Sequence, residues 1–246
     1  GQTTNTPSRV ISTTLPDLLM NMSQLELMLR TQSWMQNTQM DFRVSAHRTL
    51  TEGQSLATDQ SYSLDLRSML FKRFDSLVSG NLRASNSHSL VADVNTQITG
   101  HQDATVQTTF NAGKFSLTPK VVYNHDTNKN GLGVYSQNDT DVTPSLISRA
   151  DISMPKGLYI PLLMKSPLLF INRVIWTNTL SMDYKYSPIT AANDFELFSY
   201  NTSADYQIAQ NLRLTLNGAV AAQLDRYIKT NDYISIQFGT NLTFQF

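Results

Sequence analysis

The chain has 246 residues, enough for one domain with a sizeable core, and its 19 basic and 19 acidic residues cancel to zero net charge. The charge balance excludes the basic face that nucleic-acid binding needs, and the absence of cysteine excludes disulfides and cysteine-based metal or nucleophile sites. Charged residues make up 15% of the chain, against about 25% in an average soluble domain, and Ser, Thr, Asn and Gln supply most of its polarity.

Residues 1–36 are predicted to form a separate polar segment followed by a helix. In LPDLLMNMSQLELML, residues 15–29, apolar residues recur at helical spacing, and Thr14 is placed to cap the first turn. Leu25, Leu27 and Leu29 also alternate, a pattern compatible with a strand at the end of this stretch. We expect the helix either to pack on a core or to act as a plug or lid for a pore.

From about residue 38 the apolar period changes to two and continues to the end of the chain. This alternation predicts ten to twelve strands. Short turns such as Gly113-Lys114 and the absence of a strand–helix–strand rhythm favour sequential antiparallel pairing. We expect a weaker strand at 146–154 and two long connections, a polar one at 124–143 and an apolar one at 154–170.

Alternation does not decide which face of the sheet is buried, because a soluble barrel is apolar inside and a transmembrane barrel is apolar outside. Three features favour a membrane: a polar face made largely of Ser, Thr, Asn and Gln, aromatic residues near strand ends, and long runs such as 172–186 and 233–246. Pro119 and Asn178 interrupt apolar faces and count against it. The predicted fold is therefore an all-β, antiparallel up-and-down transmembrane β-barrel over residues 37–246, with a soluble β-barrel or sandwich as the alternative.

Two sets of candidate site residues follow from the barrel prediction. Charged side chains on the polar face are expected either to line a pore or to form ion pairs that hold the shape of the lumen: Arg43, Asp65, Arg67, Arg83, Asp93, Asp205 and Arg213. Aromatic side chains are expected to form girdles at the membrane surfaces: Trp176, Tyr184, Tyr200, Tyr206 and Phe244.

The final strand carries a pattern that extends to the last residue of DYISIQFGTNLTFQF, residues 232–246. It resembles the C-terminal assembly signal of bacterial outer-membrane β-barrel proteins, in which a terminal aromatic residue follows apolar residues at alternate positions. Thr240 departs mildly from that pattern. The resemblance implies recognition by the barrel assembly machinery and insertion into the outer membrane, with these residues carrying the signal: Phe238, Leu242, Phe244 and Phe246.

A second resemblance is carried by YNTSADYQIAQNLRLTLNGAV, residues 200–220, with the polar hairpin loop and final strand that follow it. This stretch is similar to the C-terminal end of SprA-type translocon barrels of gliding motility and type IX secretion. The similarity covers about the last 75 residues. It implies that the chain is a portion of a larger barrel whose partners include other secretion components.

Motifs for catalysis are weak. In SNSHSL, residues 85–90, His88 lies beside Ser89, but the spacing differs from the His-x-Ser motif of outer-membrane lipases and deacylases. The remaining histidines lack metal-ligand spacing: His47, His101 and His125. We therefore expect no enzymatic activity and no cofactor.

One weak metal motif lies in DTNKNG, residues 126–131, which follows the opening of a calcium loop through Asp126, Asn128 and Asn130. Gln137 stands where such a loop needs a bidentate glutamate. The same residue types are ordinary in hairpin turns. A calcium site therefore remains only a weak prediction.

These features predict a bacterial outer-membrane barrel that serves as a pore or as a transport or secretion component with a polar lumen. A non-transporting structural or adhesive barrel and a soluble β-barrel or sandwich binding domain are the alternatives. The expected partners are membrane lipid, the barrel assembly machinery and other secretion components, and nucleic acid is not among them.

Overall fold

The computed structural model describes residues 9–14, 17–52, 54–89, 94–153, 174–209 and 212–244. Within these ranges most residues belong to strands, and the helical pieces are α1 (Leu25–Met28) and two 3-10 turns, Ala191–Asn193 and Lys229–Asn231. The twelve strands are β1 (Val10–Thr14), β2 (Leu18–Ser23), β3 (Met35–Thr51), β4 (Ser55–Leu70), β5 (Phe74–Ser89), β6 (Val94–Ala112), β7 (Phe115–Asn130), β8 (Tyr135–Ile152), β9 (Val174–Tyr186), β10 (Phe195–Ala209), β11 (Leu212–Asp225) and β12 (Tyr233–Phe244).

The strands form one sheet in which chain order and spatial order coincide. The hydrogen-bonded order is β1-β3-β4-β5-β6-β7-β8-β9-β10-β11-β12. β1 and β2 both pair with the same edge of β3, one after the other along its length. This up-and-down arrangement confirms the predicted all-β antiparallel fold and the predicted number of strands. Closure of the sheet into a barrel and its location in a membrane stay predictions, as does the domain boundary at residue 37.

The predicted helix over residues 15–29 is wrong for most of its described length. Residues 18–23 form β2, and only the single turn α1 is helical. β2 pairs with β3 in a register that places Leu18 opposite Val44 and Met20 opposite Phe42. Apolar side chains thus meet apolar side chains across the pair, which stabilises a strand here. This long-range match overrides the helical spacing of the same residues.

The predicted polar connection over residues 124–143 is also wrong. β7 continues to Asn130, β8 starts at Tyr135, and the turn between them spans 131–134. The Asn130 side chain accepts hydrogen bonds from the backbone N–H groups of Leu132 and Val134, both at 3.0 Å, and so organises this turn. The expected weak strand at 146–154 is the later part of the long β8. The connection predicted at 154–170 lies outside the described residues.

Residue contacts divide the chain into two compact units. The first comprises Gly1–Val106, Val122–Val142 and Lys185–Asp194, and the second comprises Gln107–Val121, Thr143–Tyr184 and Phe195–Phe246. Each unit contains parts of neighbouring strands.

The distribution of burial is inverted relative to a water-soluble domain. Among the described residues, Leu25 and Met35 are the only buried apolar side chains, each 9% exposed. Fully buried side chains are polar instead, namely Thr38, Asp194 and Asp225. Large apolar side chains are exposed along strand after strand. The alternating pattern therefore does not build an apolar core within the described part of the chain, although soluble folds depend on one.

We expect the turn between β6 and β7 to depend on Gly113, whose φ is +62°. The space around a Cβ at this position is open, so a substitution tests backbone strain alone. Gly113→Val should lower the free energy of unfolding by about 1–2 kcal/mol, and Gly113→Asn by less, because asparagine tolerates the left-handed region. Chemical denaturation of the refolded protein measures both.

Gly239→Val in β12 is the matched control, since Gly239 has open space around its Cβ and lies in a strand without positive φ. Valine favours strands, so this variant should be neutral or stabilising. An equal loss of stability at both glycines would show that the φ at Gly113 is not the cause.

Candidate functional site

The polar face of the sheet is the face that carries the hydroxyl, amide and charged side chains alternating with the exposed apolar residues. In the first unit, neighbouring strands are joined on this face by direct hydroxyl pairs. Ser45 Oγ lies 2.6 Å from Ser61 Oγ, and Ser85 Oγ lies 2.7 Å from Thr99 Oγ1. Cross-strand pairs of this kind add to the stability of a sheet. Much of this face is therefore occupied by internal hydrogen bonds.

Three of the predicted pore-lining residues come together on β3 and β4. Arg43 forms an ion pair with Asp17, which precedes β2. Asp65 lies opposite Asp41 in the β3–β4 register, and Arg67 is two residues further along the same face as Asp65. Two carboxylates directly opposite each other repel, and the same face of these strands carries the two arginines. That these three residues line a pore stays a prediction.

Two further predicted residues belong to the neighbouring strands. The Arg83 guanidinium on β5 lies 3.9 Å from the Asp59 carboxylate on β4, and both side chains are substantially exposed. A pair this long and this exposed contributes little to stability. Asp93 lies outside the described residues.

A charged cluster that the sequence analysis missed surrounds His101 on β6. His101 Nδ1 lies 2.6 Å from Asp126 Oδ1 on β7, and His101 Nε2 lies 3.2 Å from Asp103 Oδ1. Both ring nitrogens thus face carboxylates, and a protonated imidazole can donate to both at once. The signal was present in the sequence, because His101 and Asp126 are equally distant from the Gly113-Lys114 turn, which brings them together in a hairpin.

In the second unit, Arg213 and Asp205 form a direct cross-strand ion pair between β11 and β10. Arg213 Nη2 lies 2.7 Å from Asp205 Oδ2, and the Thr215 hydroxyl donates to Asp205 Oδ1 at 2.6 Å. Arg149 on β8 also interacts electrostatically with Asp205. Two predicted residues, Asp205 and Arg213, are therefore brought together, with two arginines around one carboxylate.

The calcium-loop residues lie on the strand β7 rather than in a loop. Asp126 contacts His101, Asn128 accepts from Gln97 at 3.2 Å, and Asn130 caps the following turn. Alternate residues of an extended strand are about 6.6 Å apart, so these three side chains do not converge on one ion as a calcium loop requires. In the described ranges no cluster of three or more His, Asp or Glu side chains is arranged to hold a metal.

Exposed aromatic side chains lie at strand ends in each unit. In the first, the rings of Trp34 and Phe71, at the β3 start and the β4 end, are 6.4 Å apart. In the second, Trp176 lies near the start of β9, and Tyr227 and Tyr233 flank the turn between β11 and β12. Only Trp176 belongs to the predicted girdle set. The position of an aromatic residue within two residues of a turn is the sequence signal that identifies the others.

The other predicted girdle residues differ in environment. The half-buried Tyr184 donates its hydroxyl to Met182 Sδ at 3.6 Å, and Tyr206 is also half-buried. Tyr200 lies within β10 and makes the hydrogen bond described next. Phe244 is the last residue of β12, and its side chain is outside the described part.

Asn178, which the sequence analysis counted against a membrane-facing strand, is held in a hydrogen-bonded network on the apolar face. Its Oδ1 accepts from the Tyr200 hydroxyl and the Thr202 hydroxyl, both at 2.8 Å, and its Nδ2 donates to Ser148 Oγ at 3.4 Å. The Trp176 indole N–H donates to Thr202 Oγ1 at 2.8 Å. The amide therefore has partners within the protein and does not depend on water.

Two residues of the predicted C-terminal assembly signal lie on an exposed strand. Phe238 is 86% exposed and Leu242 is 49% exposed on the same face of β12. Phe246 lies outside the described residues. A row of apolar side chains on this strand is thus accessible to lipid or to another protein.

The weak catalytic candidates and the two other histidines lie on strands of the sheet. His88 and Ser89 are the last two residues of β5. His47 contacts the hydroxyls of Ser12, Thr14 and Thr49, at 3.0–3.2 Å. His125 contacts Thr140 at 2.9 Å. The contacts of His47 with Ser12 and Thr14 and of His125 with Thr140 join neighbouring strands.

No protein-family model matches the chain, and no curated protein matches it at a level that indicates common ancestry. In the part of the chain that the structure describes, no helix is long and apolar enough to cross a membrane.

A buried carboxylate stabilises the irregular start of β3. The β3–β4 register shifts between Gln36 and Gln39, which leaves the backbone N–H groups of Asn37 and Thr38 without sheet partners. Both N–H groups donate instead to the Glu26 carboxylate of α1, at 3.2 Å and 3.0 Å. Burial on its own would raise the pKa of Glu26, but the backbone hydrogen bonds outweigh burial and lower the pKa below its ordinary value of 4.5.

The contribution of Glu26 should depend on pH. A carboxylate whose pKa is lowered by folding stabilises the folded state above the ordinary pKa, and loses that contribution as pH falls through the folded pKa. At neutral pH, Glu26→Gln should therefore increase hydrogen exchange at Thr38. Below pH 4.5, the difference between the two proteins should shrink.

Exchange rates of the two proteins are compared at the same pH, which cancels the intrinsic pH dependence of exchange. Exchange that is equal at neutral pH would contradict the role of this carboxylate, and so would a difference that grows on acidification.

Proposed function

We propose that this chain crosses a bacterial outer membrane as a β-barrel and serves as a pore or transport component with a polar lumen. The observation that carries the proposal is the inverted burial, and β12 displays it most clearly. Ile234, Ile236 and Phe238 are 77%, 62% and 86% exposed on one face of this strand. An exposed apolar row on a regular strand is unfavourable in water and favourable against lipid tails.

The lengths of the strands support the proposal. A tilted transmembrane strand needs about 9–11 residues, and strands β3 to β12 are all longer than this, from the 12 residues of β12 to the 19 of β6. Soluble strands are usually about 5–6 residues long. Exposed aromatic residues at the ends of these strands suit the two interfaces of a bilayer.

The mechanism that we propose is passive passage rather than catalysis. The apolar face would seal against lipid, while the hydroxyl, amide and charged groups of the polar face would replace part of the hydration of a passing solute. The ion pair of Asp205 and Arg213 and the cluster around His101 would set the electrostatic potential that an ion meets. Because β1 and β2 share one edge of β3, the sheet is eleven strands wide, between the 8 of filled barrels and the 16–18 of open porins, by the usual scaling of lumen diameter.

The partners that we propose follow from this location. Lipid would cover the apolar face, and the barrel assembly machinery would read the C-terminal strand through Phe238, Leu242, Phe244 and Phe246. The resemblance of the C-terminal strands to type IX translocon barrels supports secretion components as further partners. A formal net charge of zero gives no support to a nucleic-acid partner.

The orientation of β12 is tested by two neighbouring lysine substitutions. Phe238→Lys, near the middle of the apolar row, should destabilise the protein folded in lipid vesicles by about 2–4 kcal/mol, the cost of a lysine at the bilayer centre. Gln237→Lys on the polar face is the matched control and should cost much less. Urea titration of the protein in vesicles measures both. Equal costs would contradict a lipid-facing Phe238, and a protein that is stable and monomeric without detergent would support the soluble alternative.

Pore activity is tested by conductance in planar bilayers. Folded protein should form channels, and Asp205→Asn should shift the reversal potential towards anion preference, because Arg213 and Arg149 then lack their carboxylate. Asp205→Glu keeps the charge and should leave the selectivity close to that of the wild type. Folded protein that inserts but conducts no ions would overturn the pore and favour a structural or adhesive barrel.

A further inference from the structure

The polar face of the second unit contains a depression of about 390 Å³ on strands β9 to β12. This volume lies within the usual range of small-molecule sites, about 300–1,000 Å³. Its lining includes no charged residue. Thr202 and Phe238, whose side chains belong to the other face of the sheet, also border it. The lining residues whose polar side chains lie on the polar face are three hydroxyls and three amides: Thr177, Thr179, Ser203, Asn201, Asn217 and Gln237.

Two small residues create the depression. In the strand register Ala219 lies between Asn201 and Gln237, and Gly239 lies next to Asn217. A Cβ added at Gly239 would meet no atom within 4 Å, so the space above this residue is open. The small residues separate the amides, which therefore do not reach each other across the strands.

The six polar side chains make no hydrogen bond with any other described residue. Other polar side chains of this unit are bonded in pairs: Ser181 Oγ lies 2.7 Å from Ser199 Oγ, and Thr215 donates to Asp205. The hydrogen-bonding groups of the depression are left to water or to a ligand. Each amide and each hydroxyl can both donate and accept.

We infer that this depression binds a neutral polyhydroxylated solute, of the saccharide class. Ligand hydroxyls also both donate and accept, so several can pair at once with the amides and hydroxyls that line the site. A charged solute would find no opposite charge among the lining residues, and an apolar solute would leave their polar groups unpaired. The inference rests on the proposed pore, for which it names the class of solute that the polar face retains.

The test is ligand-observed NMR with maltotriose and the folded protein in detergent micelles, which needs no conductance. Wild-type protein should bind saturably. Asn217→Ala and Gln237→Ala should each weaken binding by roughly two- to tenfold, as expected for the loss of one neutral hydrogen bond. Gly239→Tyr should abolish binding by filling the space, and its strand is compatible with tyrosine. Glucuronate, which is charged, should bind more weakly than glucose.

Asn241→Ala is the matched control, because Asn241 is an exposed amide two residues beyond Gly239 on the same strand and is not among the lining residues. It should leave the affinity unchanged. No saturable binding by wild-type protein would overturn the site, and so would equal losses in Asn241→Ala and Asn217→Ala. Channels without saccharide binding would overturn this inference alone, whereas saccharide binding without channels would overturn the proposed pore and leave the site standing.

Discussion

The cross-strand register is the constraint on which the rest of this structure depends. Because side chains alternate between the two faces of a strand, a slip of one residue would exchange every apolar side chain with a polar one. The register aligns Val44 with Tyr62 on the apolar face and Ser45 with Ser61 on the polar face. Hydroxyl pairs, ion pairs and apolar rows all follow from that alignment, so the backbone hydrogen bonds that fix the register also fix the chemistry of both faces.

The register also explains why the sheet can expose its apolar face without becoming irregular. Backbone N–H and C=O groups pair within the sheet, and polar side chains pair with one another across strands. The side-chain contacts that specify the register therefore lie on the polar face. An ordinary soluble domain obtains its driving force from an apolar core, which the described part of this chain does not form. In the proposed setting, the bilayer supplies the apolar surroundings and the sheet supplies the hydrogen bonds.

The sequence was sufficient to predict the long strands, because their apolar period of two persists over many residues, as in β12. It was not sufficient for β2, since Leu18 and Met22 satisfy helical spacing and strand alternation equally well, and only pairing with β3 decides between them. The predicted loop at 124–143 failed for a different reason. On a polar sheet face, Asn, Asp and Thr are ordinary strand residues, but composition alone predicts a loop from them. The pair of His101 and Asp126 was missed for the same reason: the predicted loop included Asp126, so this residue was not placed on β7 opposite β6.

The two faces follow different rules for polar groups, and this difference separates structural polar residues from residues available to a ligand. Asn178 lies on the apolar face, where water would be scarce in a membrane, and both its Oδ1 and its Nδ2 have partners, in Tyr200, Thr202 and Ser148. Asn217, on the polar face, makes no hydrogen bond with the described residues. An amide without protein partners is costly on the first face and tolerable on the second, where solvent or solute can pair with it. The same residue type therefore stabilises the sheet on one face and is available to solvent or solute on the other.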